Sequence, residues 1–371
     1  MPSQVSLLVS RSRPGRRGSN IPVAPQATRE AGRAAIPARL RRATPAALPS
    51  VSELDAVRHF TRLSQKNYSI DGNFYPLGSC TMKYNPKIND QLASLPGFLR
   101  VHPLQDEADV QGTLRLIHEL QHHLRGVLGM AEVSLAAAAG AQGEFAGMAI
   151  IRAYHDARGD HHRRIVLVPD SAHGTNPASA ALAGFTVRTI KSNADGTVDL
   201  DSLRAAIDEN LAGIMLTNPN TCGVFERDIV EIARLVHAGG GQLYYDGANL
   251  NAIVGRVRPG DMGFDAVHIN LHKTFSTPHG GGGPGAGAVG VAAHLRPHLP
   301  VPHIRQKDDG TFTVDRHGDE TIGRLMAFHG NTGVLIRALA YTLAHGGKGL
   351  WDVATLATLN ANYLLSQLPE V

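Results

Sequence analysis

The sequence has few of the features that mark secreted and membrane proteins. It contains two cysteines, Cys80 and Cys222, in 371 residues, which is too few for a disulfide-stabilised domain and favours a reducing compartment such as the cytoplasm. No stretch approaches the ~18 consecutive apolar residues that a membrane-spanning helix needs. With 43% hydrophobic and 18% charged residues, the composition predicts a soluble globular protein.

Acidic side chains are almost missing from the first 50 residues. This segment holds nine arginines and a single acid, Glu30, whereas the rest of the chain has 27 basic and 31 acidic residues. The formal charge of +4 therefore belongs to an N-terminal arm and not to a basic face of the main domain. Composition alone leaves open whether the arm is a transit peptide, a nucleic-acid-binding arm or a structural extension.

Zinc-ligand spacing of the cysteines is also missing, although 19 histidines raise the question of a metal. The pairs His122-His123 and His161-His162 lie among polar residues, a setting typical of solvated surface. We therefore predict no bound metal.

Four segments follow from the distribution of residue types. They are an Arg-rich arm (1–50), a segment with a helix and an ordered loop (51–110), a large domain (111–345) and the start of a connecting helix (346–371). In the second segment, a serine precedes apolar residues at helical spacing, which are Leu54, Val57, Phe60 and Leu63. The same spacing between Gln111 and Leu128 predicts another helix.

Beyond residue 130, short apolar runs alternate with helical patterns. The runs are RIVLVPD, FTVRTIK, AGIMLTNPN, GQLYYDGAN and FDAVHINLH. The helical patterns include DLDSLRAAIDENL and ERDIVEIARLVHAGG. This order predicts parallel strands with helical crossovers, and hence a three-layer α/β sheet. Ligands of such sheets bind at the loops that follow the strands.

Those loops carry the groups that pyridoxal-phosphate chemistry requires. Lys273 supplies an amine for the aldehyde, and Asp246 supplies an acid for the pyridine nitrogen. His173 supplies a ring for stacking, with Thr175 and Asn176 as nearby donors. Each residue alone has an ordinary explanation, as a surface lysine, a turn aspartate or a turn histidine. It is their occurrence together that indicates a cofactor site.

Further stretches contribute a phosphate site and a possible ring contact. AAAAGAQGEFAGMAII predicts a glycine-framed turn that enters a helix, whose N-terminus favours a phosphate. Asn218 either donates to the phenolic oxygen of the ring or is a turn residue before proline. The glycines after Lys273 lie between two predicted strands, so we expect close approach of backbone to the cofactor and not a linker.

Five stretches resemble the P-protein family of the glycine cleavage system: FYPLGSCTMKYNPKIN, DSAHGTNPASA, LTNPNT, DGANLNAI and HINLHKTFSTPHGGGGPGAGAVGV. The resemblance begins at SRPGRRG, which favours a structural role for the arm, and ends at LNANYLLSQL. It implies a fold-type I pyridoxal-phosphate transferase of the type in which the enzyme is split into two chains. Glycine would lose CO2, and its aminomethyl group would pass to the lipoyl arm of H-protein.

The resemblance also implies roles for single residues. Lys273 and His173 would be catalytic, and Tyr75 and Asn249 would lie at the substrate mouth, with the loop from Tyr75 to Asn85 facing it. The implied cofactor-binding set is Lys273, Asp246, His173, Ala141, Gln142, Thr175, Asn218, Ala248 and His272. The implied partners are glycine dehydrogenase subunit 1 and lipoylated H-protein, with two copies of each subunit.

Two alternatives stay open beside this interpretation. One is another fold-type I enzyme, such as an aminotransferase or a desulfurase-like protein, and the other is an inactive scaffold subunit. Members of the family usually continue for about a hundred residues more into a smaller C-terminal domain, whereas this chain ends at Val371. We therefore expect the isolated chain to bind the cofactor weakly or to fold poorly.

Overall fold

A computed structural model describes residues 5–19, 21–73, 84–279 and 285–368 of the chain. It contains two units, Met1–Pro76 and Leu77–Val371. In the first unit, helix α1 spans Gln26–Ala35 and helix α2 spans Glu53–Ser64. Ser52 caps α2, as its hydroxyl accepts a hydrogen bond from the backbone N–H of Asp55 at 3.1 Å. The predicted capped helix is confirmed.

The second unit is organised around a central sheet. The strands of this sheet are β1 (Glu132–Ser134), β2 (Ile165–Pro169), β3 (Thr186–Ile190), β4 (Leu211–Leu216), β5 (Gln242–Gly247), β6 (Ala266–Asn270) and β7 (Gly287–Val291). Their order is β1-β7-β6-β5-β4-β2-β3. Among these described strands, only β7 runs in the direction opposite to the others. Each of the five predicted apolar runs forms one strand, from β2 to β6.

Helices cover both faces of this sheet. The helices of this unit are α3 (Lys87–Ala93), α4 (Pro96–Leu99), α5 (Gln111–Leu128), α6 (Gly140–Ala157), α7 (Thr175–Leu182), α8 (Leu200–Ala206), α9 (Ile229–Ala238) and α10 (Thr332–Gln367). A hairpin of β8 (His303–Gln306) and β9 (Phe312–Asp315) lies outside the sheet. Residues of α6 and α7 form one buried cluster with the sheet, while those of α5, α8, α9 and α10 belong to a second. The predicted three-layer α/β architecture, with a mostly parallel central sheet, is confirmed.

Local sequence explains most of the element boundaries. The helix predicted between Gln111 and Leu128 matches α5, which ends at Gly129 in the left-handed conformation, with φ +67°. The helix predicted over DLDSLRAAIDENL is shorter in the structure, because α8 ends at Ala206 and β4 begins at Leu211.

None of the described helices combines the length and apolarity needed to cross a membrane.

Candidate active site

The carboxyl ends of the parallel strands open on a cavity of about 890 Å³. The loops after β4, β5 and β6 line it, together with the N-terminal turns of α6 and α7 and the later part of α10. This is the edge of a parallel sheet at which ligands are expected. The structure therefore brings the predicted loops together around one space.

Lys273 lies three residues beyond the end of β6, half-buried, and lines the cavity. The hydroxyl of its neighbour Thr274 accepts a hydrogen bond from the N–H of Leu250 at 2.9 Å and donates to Asn251 at 2.7 Å. These bonds join the loop that carries the lysine to the loop after β5. Farther along, Ser276 has φ +51°, a conformation that is uncommon for residues other than glycine and that often occurs at functional sites.

Asp246 lies near the carboxyl end of β5 and is only 4% exposed. One carboxylate oxygen accepts from the side-chain amide of Asn176 at 2.8 Å, and the other accepts from the N–H of Ala248 at 3.0 Å. Burial alone would raise the pKa of Asp246, but His268, these hydrogen bonds and the charge of Lys273 lower it below its usual value. The group is thus held as an anion that faces the cavity.

His173 and Thr175 lie in the turn after β2 that begins α7, and both are exposed and line the cavity. The Nδ1 atom of His173 lies 2.8 Å from the Thr175 hydroxyl and accepts a hydrogen bond from the Thr175 N–H at 3.2 Å. These contacts orient the imidazole ring. Its stacking on a bound ring stays a prediction.

The N-terminus of α6 forms another wall of the cavity. The first amide N–H groups of an α-helix have no acceptor within the helix, and the helix dipole there favours an anion. Ala141 lines the cavity. The side chain of Gln142 instead accepts from the N–H of Ala138 at 2.7 Å and donates to the carbonyl of Leu325 at 2.7 Å. Gln142 can therefore contribute its backbone N–H to this wall, while its side chain stabilises the turn.

Glycine is required where α6 approaches the sheet. A Cβ atom on Gly140 would lie 2.1 Å from the side-chain oxygen of Asn270, and one on Gly147 would lie 2.4 Å from the ring of Tyr244. Neither neighbour is the end of a flexible chain, since both are packed in the sheet. The glycines of the predicted turn thus allow the helix to lie close against β5 and β6.

The other predicted residues have different settings. Ala248, Asn249 and His272 line the cavity, and His272 is buried with its ring 4.6 Å from that of His279. Tyr75, with most of the loop that carries it, lies outside the described residues.

Asn218 is the predicted residue that the structure turns away from the cavity. Its side-chain oxygen accepts from the N–H of Glu226 at 2.8 Å, and its amide nitrogen lies 3.4 Å from the Glu226 carbonyl. Its neighbours Thr217 and Pro219 line the cavity instead. Of the two interpretations left open for Asn218, the structure favours the turn residue.

Sequence reasoning missed Glu144 and His268, which also line the cavity. The side-chain nitrogen of Asn176 donates to both Glu144 and Asp246, each at 2.8 Å. A signal for each was present. Glu144 is the single acid in the small and apolar start of α6, and His268 interrupts an otherwise buried apolar strand.

Several buried polar atoms around the cavity lack a protein partner within the described ranges. They are the side-chain oxygens of Asn176, Thr217 and Asn270. Buried polar atoms are normally hydrogen-bonded, so this arrangement suits a polar ligand. Two carboxylates, Glu144 and Asp246, face a single lysine in the cavity, and this balance favours a ligand with a positively charged group.

A metalloprotease-like spacing occurs elsewhere, in α5, where His118 to His122 reads HELQH. Its acid, Glu119, forms an ion pair with Arg115 at 2.8 Å, and the ring of His118 lies 5.2 Å from that of Phe312. Within the part of the chain that the structure describes, no group of three or more potential metal ligands is found. The spacing alone therefore does not indicate zinc catalysis.

Comparisons with known proteins agree with this geometry. A family model of the glycine cleavage system P-protein matches residues 29–312. A probable glycine dehydrogenase (decarboxylating) subunit 2 of Methylococcus capsulatus is 60% identical over 366 residues, covering 98% of this chain and 74% of the relative. A protein of the same name from Thermococcus kodakarensis is 55% identical over 358 residues, covering 96% of this chain and 70% of the relative.

Solved structures are similar in fold. The crystal structure of glycine decarboxylase (P-protein) of the glycine cleavage system, in inhibitor-bound form, has a TM-score of 0.70 at 20% identity, covering 87% of this chain and 74% of that one. A sphingosine-1-phosphate lyase of Burkholderia pseudomallei has a TM-score of 0.56 at 18% identity, covering 85% of this chain and 72% of that one.

Proposed function

Because the chain belongs to the glycine cleavage system P-protein family, we propose that it is the cofactor-carrying subunit of glycine dehydrogenase (aminomethyl-transferring), which decarboxylates glycine. The resemblance seen in five sequence motifs is confirmed by the family match, and the fold-type I architecture by the structural likeness. The observation that carries the proposal is the convergence of Lys273, Asp246 and the N-terminus of α6 on one cavity.

The cofactor is pyridoxal 5′-phosphate, and the residues present fit it. The anionic Asp246 suits a protonated ring nitrogen, and the free amides of α6 suit a phosphate. Lys273 suits an aldehyde. The buried oxygen of Asn270, which has no partner among the described residues, is available for a polar atom of the bound group.

Pyridoxal phosphate held in this cavity would supply an electron sink for the pair that remains on the α-carbon of glycine when CO2 leaves. Lys273 would hold the aldehyde of the cofactor until glycine binds, and its released amine would then be placed to accept or donate a proton at the α-carbon. Asp246 keeps the ring nitrogen protonated, since its lowered pKa keeps the carboxylate charged at neutral pH. His173, which lines the cavity, would cover one face of the bound ring.

Water must be kept from the α-carbon, because early protonation there would release methylamine instead of the transferred group. Six alanines line the cavity near the polar groups, and these are Ala139, Ala141, Ala248, Ala252, Ala357 and Ala361. Their small apolar surfaces favour exclusion of water. The electron pair on the α-carbon would then form a C–S bond to one sulfur of the lipoyl disulfide of H-protein while the S–S bond breaks, which leaves the second sulfur as a thiol.

Partners and compartment follow from the same proposal. The relatives are named as subunit 2, which implies a subunit 1, and we propose two copies of each subunit together with lipoylated H-protein as acceptor. We place the enzyme in the cytoplasm of a bacterium or archaeon, which the low cysteine content supports.

Borohydride reduction followed by mass spectrometry of the Lys273 peptide tests the proposal. The enzyme, assembled with its partner subunit and saturated with pyridoxal phosphate, should carry a reduced cofactor adduct on Lys273. Lys273→Ala should remove the adduct. It should also remove the glycine-dependent exchange of bicarbonate that is measured in the presence of lipoylated H-protein. Lys307→Ala, at an exposed lysine in the β8–β9 turn, should keep both.

Other outcomes would point to other functions. An adduct without bicarbonate exchange, but with transamination or desulfuration, would assign the chain to another enzyme of the same fold. No adduct in the saturated, assembled enzyme would indicate an inactive scaffold.

A further inference from the structure

Behind the cavity, three buried polar side chains lie next to one another on β5 and β6. Tyr244 and Asp246 are two residues apart on β5, so their side chains point to the same face of the sheet. His268 of β6 is the register partner of Asp246. Their exposed fractions are 0%, 4% and 1% for Tyr244, Asp246 and His268, and burial of three polar groups together calls for contacts that compensate it.

The contacts form a chain that leads to Asp246. The hydroxyl of Tyr244 lies 2.5 Å from Nδ1 of His268, and the two rings are nearly parallel, at 15°. On the other side of the imidazole, Nε2 lies 3.6 Å from a carboxylate oxygen of Asp246. The second oxygen of that carboxylate is held by Asn176. His268 therefore stands between a phenol and a carboxylate.

The protonation of this chain follows from burial. Burial, reinforced by the negative charges of Asp246 and Glu144, raises the pKa of Tyr244 well above its usual value, so the phenol keeps its proton and can donate it. If Tyr244 donates to Nδ1, that nitrogen carries no hydrogen, and the hydrogen of the His268 ring is on Nε2. That N–H then faces the carboxylate of Asp246.

The remaining surroundings add few charges. Lys273 also acts on Asp246, and Glu144 is bonded through Asn176. Helix α6 presents Gly143 to His268, and β7 presents Val289 as its register partner, and neither residue titrates. The tautomer of His268 is therefore set mainly by Tyr244 and by the carboxylates.

We propose that Tyr244 and His268 are positioning residues that act through Asp246, keeping its carboxylate charged and aimed into the cavity. This inference rests on the proposed function, in which Asp246 pairs with the ring nitrogen of the cofactor. With the other tautomer, a lone pair on Nε2 would face the carboxylate. Repulsion between them would favour protonation of Asp246 and weaken its hold on a cationic ring.

Neighbouring tyrosines on β5 provide a matched test. Tyr245 is also buried but belongs to the opposite face, where its hydroxyl donates to the carbonyl of Asn218 at 2.6 Å. Tyr244→Phe and Tyr245→Phe thus each remove one buried hydroxyl and one hydrogen bond. The affinity of the assembled enzyme for pyridoxal phosphate is measured by absorbance titration from about pH 5.5 to about pH 8.5, the range in which imidazole titrates.

We expect Tyr244→Phe to weaken cofactor binding about tenfold, the equivalent of one pKa unit, with the largest effect at the acidic end, where Asp246 then becomes protonated more easily. Tyr245→Phe should lower Tm to a similar extent but keep the affinity and its pH profile. In an Asp246→Asn background, Tyr244→Phe should have no further effect on affinity.

Equal affinities of the two variants at every pH would overturn the proposal, as would an undiminished effect of Tyr244→Phe in the Asp246→Asn background. A second readout needs no cofactor. In ¹⁵N-histidine NMR of the cofactor-free enzyme, the signal missing from His268→Gln reports the tautomer of His268. Protonation on Nε2, lost or mixed in Tyr244→Phe, supports the proposal even if Lys273 forms no adduct. Protonation on Nδ1 in the wild type contradicts it.

Discussion

Asp246 and Asp265 are both buried aspartates with histidine neighbours, and they lie at opposite ends of β5 and β6. Asp246 is near the carboxyl end of β5, whereas Asp265 comes directly before β6. Their exposed fractions are similar, at 4% and 6%. Burial and a nearby histidine therefore do not by themselves separate a functional aspartate from a structural one.

The difference lies in what fills the space around each carboxylate. One oxygen of Asp265 accepts from the N–H of Leu243 at 2.7 Å and contacts His237 at 2.8 Å, and the other faces His294 at 3.7 Å. These histidine side chains are 41% and 42% exposed, so water reaches the cluster. Asp246 instead has a fully buried histidine behind it and a cavity with Lys273 in front. An open cavity on one side thus distinguishes the functional site.

Replacement of each aspartate with asparagine is expected to have the largest effects. It separates the proposed functional role of Asp246 from the structural role of Asp265. Asp246→Asn removes the charge that we propose pairs with the ring nitrogen, and breaking a buried charge pair costs about 3–5 kcal/mol. That corresponds to a loss of about 10²-fold or more in kcat. Asp265→Asn should instead lower the free energy of unfolding by about 1.5–3 kcal/mol, since it removes a charged acceptor. Steady-state kinetics and urea unfolding measure the two effects.

The same pair of variants can break the comparison. If Asp265→Asn lowers kcat as much as Asp246→Asn while its stability is unchanged, then the two ends of the strands are coupled and Asp265 is not merely structural. If Asp246→Asn retains the kcat of the wild type, Asp246 does not pair with the reacting group.

A smaller effect, a loss of stability, is expected when alanine replaces a glycine that lets α6 lie close to the Asp246 end of β5. In Gly147→Ala, the new Cβ would lie 2.4 Å from the Tyr244 ring, and such overpacking costs about 1–3 kcal/mol of stability. The matched control is Gly126→Ala in α5, where nothing lies within 4 Å. That change should stabilise the protein by about 0.5–1 kcal/mol. If Tm shifts in the same direction in both variants, the close approach of α6 to Tyr244 does not constrain the helix.

The sequence predicted the central sheet and its loops well because their signals are local. The apolar runs that became β2 to β6 are each bounded by polar or glycine-rich residues, and parallel strands place the following loops at one edge. Lys273, Asp246 and His173 could therefore be assigned to one site from spacing alone. In the structure all three line one cavity, and their roles stay predictions.

Side-chain direction and packing between distant segments decide the assignments that the sequence left open or missed. Whether Asn218 points into the cavity or toward Glu226 is decided by a contact eight residues away. Glu144 enters the site only because Asn176, 32 residues later, bridges it to Asp246. Periodicity does not contain such information, so tertiary structure is needed to identify these roles.

The smallest expected effect concerns pH at the Asp265 end. The hydrogen bond from His237 to Asp265 raises the pKa of His237 above its usual value. The stability that this pair adds is therefore fully present below the unfolded pKa of about 6.5 and is lost as pH rises through the higher folded pKa. The neighbouring His294 has a pKa that burial lowers, so its contribution has the opposite slope.

His237→Gln should consequently lower Tm relative to the wild type at about pH 5.5, with the difference shrinking toward about pH 8.5 as His237 of the wild type loses its proton. His162→Gln, at an exposed histidine, should show no such trend. Because His237 is far from the cavity lining, its replacement should leave the pH profile of kcat unchanged, in contrast to changes behind Asp246. A Tm difference that grows with pH would instead mean that neutral His237 stabilises the fold, and that its proton adds nothing to the pair with Asp265.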